Sequence, residues 1–157
     1  MIYFEDFEMG WTTTVGEYLV TKEEILEFGK RWDQAPYHID EKAAESSIFG
    51  GLIAPGAFVM AIQTWLLHKQ EDVTAALGRL DSNELRFPNP VRSDDRISLT
   101  MECIDKRESQ SKSDRGIITQ SIMLTNQNGE TVLTLKDTIL VARGPNSRLE
   151  SVIIVKF

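Results

Sequence analysis

The run AFVMAIQTWLL over residues 57–67, set behind a Pro55-Gly56 step, constrains this chain more than any other stretch. It falls well short of the roughly twenty apolar residues that cross a bilayer. It also carries no continuous polar face, so it reads as a helix buried on all sides with the rest of the domain wrapped around it. Phe58, Met60 and Trp65 are then core residues. Gln63 and Thr64 interrupt the run and must find partners or face a cavity. A chain of 157 residues can bury such a helix but is too short for two ordinary domains, so one domain over 1–157 is expected.

Charge and cysteine content narrow the function. A net charge of −7 opposes general attraction to phosphate backbones and anionic lipid surfaces. Neither nucleic acid nor membrane is therefore an expected partner, whereas a small anion needs only a few local cations. The opening MIYFEDFEMG has acidic residues where an export signal needs a positive charge followed by an apolar stretch, so a cytoplasmic location is expected. Cys103 is the single cysteine, which leaves no internal disulfide and no cysteine-based zinc site. It reads as a small buried apolar residue.

Upstream of the apolar run, TTTVGEYLV suggests a first strand. Thr21 and Glu24 form a capping box for a helix reaching about Trp32. Pro36 pushes Ala35 toward extended geometry and stops that helix. Asp33 and His38 would lie about 140° apart on a continuous helix, but a loop turned by Pro36 lets them converge. A carboxylate and an imidazole on one tight loop can hold a water, one accepting its proton and the other orienting it. The same spacing also suits a helix-end polar residue and an ordinary loop histidine. Asp40 caps a short helical turn through EKAAE, followed by the SSIFGG turn.

At the head of the apolar helix, the first amides have no internal partners and carry partial positive charge, so they can face an anion or a developing oxyanion. Pro55 has no N–H to offer. Gly56 has one, and its missing side chain allows close approach. His68 closes the helix beside Lys69, where a cation suits the dipole. No second histidine lies near His38, and Asp40 and Glu41 are explained as helix-start residues, so no metal site is expected.

From Arg79 onward the period changes to two. NELRF leads into a PNPV turn, and Ile97, Leu99, Met101 and Cys103 then alternate with Ser98, Thr100 and Glu102, as in a half-buried strand. The polar break KRESQSKSDRG separates this from IITQSIMLT, and Asn128-Gly129 marks a hairpin into TVLTLKDTILVA. Three long antiparallel strands behind a buried helix indicate an α+β protein. Residues 144–157 form a C-terminal extension whose SVIIVKF suits an edge strand or a subunit contact equally. Arg86, Arg92, Lys106 and Arg107 form no cluster and read as solvated surface.

Together these residues resemble a MaoC-like dehydratase of the hotdog fold, the group that includes (R)-specific enoyl-CoA hydratases. Asp33, Pro36, His38, Asp40, Glu41, Phe49-Gly50-Gly51, Ile53, Ala54 and Gly56 stand in register with that family's signature. YFEDFEMG and RFPNPVRSDDRIS match its habits, and the resemblance reaches to about residue 143. It implies a single hotdog domain, in which a curved antiparallel sheet wraps the central helix. It also implies a homodimer or dimer-based oligomer with paired sheets, and an acyl-thioester tunnel near the dimer interface. The implied reaction adds water to a 2-enoyl-CoA or removes it from a 3-hydroxyacyl-CoA. Asp33 is then the general base, His38 shares in orienting the water and in the proton traffic, and the Gly56 N–H stabilises the enolate. Thr64 and Tyr37 are candidate site-lining residues. Coenzyme A enters as part of the substrate, with no metal or redox cofactor.

Three positions depart from the pattern: Ala35 replaces an amide residue, Pro55 the usual histidine, and Asp94 a frequent glycine. Two rival readings stand beside the hydratase. A hotdog acyl-CoA thioesterase commonly has a carboxylate on the central helix, and residues 57–67 contain none. A non-catalytic acyl-thioester-binding module would keep the Asp33–His38 pair as structure only. Acyl chain length, branching, physiological direction and pathway are not legible, because tunnel walls depend on packing.

Overall fold

The computed structural model describes residues 1–145. A 3₁₀ turn, Phe4–Asp6, precedes β1 (Thr12–Leu19). Four helices follow: α1 (Lys22–Trp32), α2 (Pro36–Ile39), α3 (Glu41–Glu45) and α4 (Gly56–Leu67). The strands β2 (Ala76–Arg86), β3 (Arg96–Glu108), β4 (Arg115–Thr125) and β5 (Thr131–Ala142) complete the order. All five strands join one antiparallel sheet in the order β1-β3-β4-β5-β2. This is the α+β hotdog arrangement expected.

Local chemistry explains most of these elements. Thr21 Oγ1 accepts from the Glu24 N–H at 3.2 Å while Glu24 Oε2 accepts from the Thr21 N–H at 3.3 Å, a closed capping box that starts α1. On β3, Ile97, Leu99, Met101 and Cys103 are all buried, as their alternation predicts. With Ile122 and Leu124 of β4 and Leu133 and Leu135 of β5, the first three make the sheet side of the core. Phe58, Val59, Ile62 and Leu66 of α4 fill it from the other side. Each such side chain contributes about 1.5–3 kcal/mol on burial. Cys103 sits in a smaller core with Phe4, Phe7, Ile118 and Val141. Gly116 makes room there, since a Cβ on it would stand 2.2 Å from the Phe4 ring.

Three expectations are corrected. First, α4 is not buried on all sides: Ala57, Ala61, Thr64 and Trp65 are exposed. The sheet covers one side of the helix, and the described residues supply no cover for the other. Trp65, 42% exposed, is therefore not core; it meets Tyr18 edge-on and lies under the Lys69 ammonium. Second, β2 begins at Ala76, well before NELRF, and all of its residues are exposed. The described residues cover neither of its faces, so no buried side imposes a period. Third, the polar break is shorter than its composition implies, because β3 runs on to Glu108 and β4 starts at Arg115.

Gly129 turns the β4–β5 hairpin at φ +76°, and Asn126 Oδ1 accepts from the N–H groups of Asn128 and Glu130. Asp94 adopts φ +69°, the left-handed geometry that glycine accepts without strain. The SVIIVKF segment lies outside the described residues. Among the described residues no helix is long and apolar enough to cross a membrane.

Candidate functional site

Asp33 and His38 converge as the Pro36 turn predicts. Asp33 caps the C-terminus of α1, its N–H donating to the Gly29 carbonyl at 2.9 Å. His38 lies on α2, which Pro36 starts from its first position. The carboxylate Oδ2 stands 3.5 Å from the imidazole Nε2. Asp33 is 47% exposed at its side chain and His38 only 6%. Ala35, where a side-chain amide was expected, leaves the loop to be held by main chain. Its N–H donates to Asp33 Oδ1 at 3.4 Å and its carbonyl accepts from the His38 N–H at 2.9 Å.

What brings the two helices this close is Gly29. A Cβ there would stand 2.9 Å from Ile39 Cγ2, 3.0 Å from the His38 carbonyl oxygen and 3.2 Å from His38 Cβ. Only a residue without a side chain lets α1 and α2 touch at this point.

The second nitrogen of His38 decides its chemistry. Nδ1 lies 2.7 Å from the Ile53 carbonyl oxygen. A carbonyl only accepts, so Nδ1 carries the hydrogen, and Nε2 is left to face Asp33 as the nitrogen that gains or loses a proton. Ile53 is itself pinned: its N–H donates to the Tyr37 carbonyl at 3.1 Å, and the next N–H, of Ala54, donates to Val91 at 2.8 Å. Arg92 ties down the preceding turn through the Phe49 carbonyl at 2.6 Å, so this cation is structural rather than merely solvated.

Ile53 leads directly to α4. The Pro55 carbonyl accepts from Phe58 and Val59, and the Gly56 N–H at the first helical position has no main-chain partner among the described residues. A cavity of about 340 Å³ opens beside it, with Tyr37, His38, Gly56, Val59, Phe87 and Val132 in its wall. Tyr37 thus lines the cavity, with its ring edge-on to His38 at 4.5 Å. Asp33 reaches His38 from the exposed end of α1 and is not part of that wall. Thr64 does not join the group. It lies on the exposed side of α4, donates to the Met60 carbonyl at 3.3 Å, and borders a different cavity.

Three participants were not anticipated. Gly29 carries a weak signal, a glycine inside a capped amphipathic helix, which marks a close packing contact more often than a flexible point. Phe87 covers Gly56, its ring within 3.0 Å of where a Cβ would be, and nothing in its neighbours signals this. The Ile53 carbonyl is invisible to any motif. Among the described residues no three His, Cys, Asp or Glu side chains cluster as a metal site would require.

Comparison with known proteins places this geometry in context. A family model described as MaoC like domain matches residues 9–124. The crystal structure of a MaoC-like dehydratase from Rhodospirillum rubrum superposes with TM-score 0.83 at 30% identity, covering 92% of this chain and 99% of that one. An (R)-hydratase from A. caviae involved in PHA biosynthesis shares the fold, with TM-score 0.70 and 22% identity over 86% of this chain and 97% of its own. The uncharacterized protein YdeM of Bacillus subtilis (strain 168) is 27% identical over 143 residues, spanning 88% of this chain and 98% of that protein.

Proposed function

The chain belongs to the MaoC-like domain family of hydratases and dehydratases, and on that premise we propose that it interconverts 2-enoyl-CoA and 3-hydroxyacyl-CoA thioesters. The observation that carries the reading is the Asp33–His38 pair at 3.5 Å, with His38 and Gly56 in one cavity wall and the Gly56 N–H without a main-chain partner among the described residues. In the hydration direction, Asp33 takes a proton from a water held at the pair while the water oxygen bonds to C3. The electron pair moves onto the thioester oxygen, where the Gly56 N–H and the start of α4 stabilise it. The proton held on the pair then passes to C2 through His38 Nε2, completing the addition of H and OH. Nδ1, bonded to Ile53, keeps the ring oriented throughout.

The experiment follows loss of the conjugated enoyl absorbance across a panel of enoyl-CoA chain lengths. Asp33→Asn and His38→Ala should each slow hydration by at least about a hundredfold while the melting curve stays cooperative. Undiminished rates in either variant would refute the reading. Release of free thiol from acyl-CoA would point instead to a thioesterase.

The active unit in this reading is a homodimer. Supporting it are the outer edge of β2, which pairs with no strand among the described residues and exposes Leu77, Leu80 and Leu85, and the side of α4 around Trp65 that the described residues leave uncovered. An exposed edge strand of this length is a template for pairing with a second copy.

A further inference from the structure

β2 ends at Arg86, and Phe87 opens the strap Phe87-Pro88-Asn89-Pro90 that leads to Val91. Its two prolines fix φ at two of these positions. Hydrogen bonds hold the strap from two directions: Asn89 Nδ2 donates to the Thr131 carbonyl at 2.9 Å, and the Val91 carbonyl accepts from the Ala54 N–H at 2.8 Å. The second bond joins the strap to the Ile53–Ala54 segment, which orients His38 and leads into α4. The backbone of Phe87 is therefore fixed relative to both His38 and Gly56.

The ring is aimed at Gly56. Cζ stands 3.0 Å from where a Gly56 Cβ would be, with Cε2 at 3.4 Å and Cε1 at 3.5 Å. Two flanking distances this nearly equal mean that the ring meets the glycine tip-on and fills the space a side chain would take. Phe87 is nevertheless 46% exposed, whereas Ile53, Val59 and Val91 of the same cavity wall are buried. It thus lines the cavity beside His38 and Gly56 without being enclosed in the core. Filling the interior does not account for an aromatic ring held in that position.

We propose that Phe87 is a specificity-determining residue whose ring tip limits the site to enoyl thioesters unbranched at C2. This rests on the hydratase reading, in which the thioester oxygen accepts from the Gly56 N–H. Gly56 and Phe87 are neighbours in one cavity wall, so an oxygen bonded at that N–H from the cavity lies against the ring. The carbonyl, C2 and C3 of an enoyl thioester are conjugated and share one plane. A group on C2 is held in that plane, one bond from the carbonyl carbon, and cannot be rotated out of the way of the ring. The acyl chain beyond C3 leads away from Gly56 and escapes this contact. Because the strap fixes the backbone of Phe87, a C2 methyl is accommodated only by moving the thioester off the Gly56 N–H, where the enolate would be stabilised. One methyl group in a shaped apolar pocket changes kcat/KM by about ten- to hundredfold.

The test compares wild type, Phe87→Ala and Phe87→Leu in hydration of 2-butenoyl-CoA and 2-methyl-2-butenoyl-CoA. Phe87→Leu keeps an apolar side chain on the strap while removing the ring tip, and thermal melts check that each variant folds. The two esters differ in intrinsic reactivity by the same factor for every protein, so the readout is the ratio of their kcat/KM values. That ratio should favour the unbranched ester in wild type and fall at least about tenfold in the variants. A merely structural role would slow both esters alike and leave the ratio unchanged. Binding is read separately by titration calorimetry with butanoyl-CoA and 2-methylbutanoyl-CoA, which cannot be hydrated. Wild type should bind the first at least about tenfold more tightly, and the variants should narrow the gap. A kcat/KM ratio that survives both substitutions, or equal binding of the saturated pair by wild type, would overturn the assignment of Phe87. A binding preference that the variants lose, without hydration of either enoyl ester by any protein, would count against the hydratase reading alone.

Discussion

Replacing Gly29 by alanine tests whether the contact between α1 and α2 sets the geometry of the Asp33–His38 pair. The new methyl would meet Ile39 Cγ2 at 2.9 Å, the His38 carbonyl oxygen at 3.0 Å and His38 Cβ at 3.2 Å. The isoleucine methyl can rotate away, but the carbonyl oxygen is backbone, so α1 must retreat from α2 by a few tenths of an ångström. Overpacking of this kind costs about 1–3 kcal/mol. Alanine returns about 1 kcal/mol through its better helix propensity. The net loss is about 1 kcal/mol, which lowers Tm by about 2–4 °C in a chain of this size.

Because the Asp33 N–H is bonded to the Gly29 carbonyl, the retreat carries Asp33 away from Nε2. A misplacement of about 1 Å costs about a hundredfold in rate, so a few tenths should cost about three- to tenfold, in kcat more than in KM. Thermal melts and enoyl-CoA hydration are measured side by side, with Lys30→Ala on the exposed face of α1 as control. A Gly29→Ala protein as stable and as active as wild type would refute the packing account. One that loses stability but keeps its kcat would show that the contact supports the fold without positioning the pair.

Three further outcomes follow from the structure. The Tyr18 hydroxyl is desolvated and hydrogen-bonded to Glu24, which raises its pKa well above the ordinary value near 10. The folded state keeps this proton where the unfolded chain loses it, so the stabilisation is complete below about pH 10 and is lost as pH rises through the folded pKa. Denaturant unfolding above pH 10 should therefore show a shallower fall in stability for Tyr18→Phe than for wild type. Asp94→Val places a β-branched residue at φ +69° and should destabilise by about 1–2 kcal/mol in urea titrations; an unchanged midpoint would mean the turn relaxes freely. Leu80→Lys on the open edge of β2 should convert a dimer to a monomer in light scattering, and an unaltered mass would rule out pairing through that edge.

Much of this molecule was legible in its sequence because the relevant interactions are local. The Thr21–Glu24 cap, the alternation of Ile97 to Cys103, the Asn128-Gly129 turn and the convergence of Asp33 with His38 around Pro36 each act over a few residues. Spacing is then a direct record of geometry. The family signature rests on the same stretches, which is why fold and reaction class could be anticipated together.

Tertiary structure alone decided the rest. The Nδ1 proton of His38 is placed by a carbonyl fifteen residues away, and Gly56 lies under Phe87 from beyond the following strand. The period of two read from Arg79 onward has no buried face behind it in β2, since the described residues cover neither of its faces, and the apolar character of α4 could not reveal that one side lies uncovered among them. Gln63 is the sharpest case. Its position in an apolar run shows only that a polar group must be accommodated, whereas the burial of its Nε2 with no partner among the described residues is decided by tertiary packing. Periodicity and capping specify how each segment folds; which donors are left unpaired is settled only when those segments close around one another.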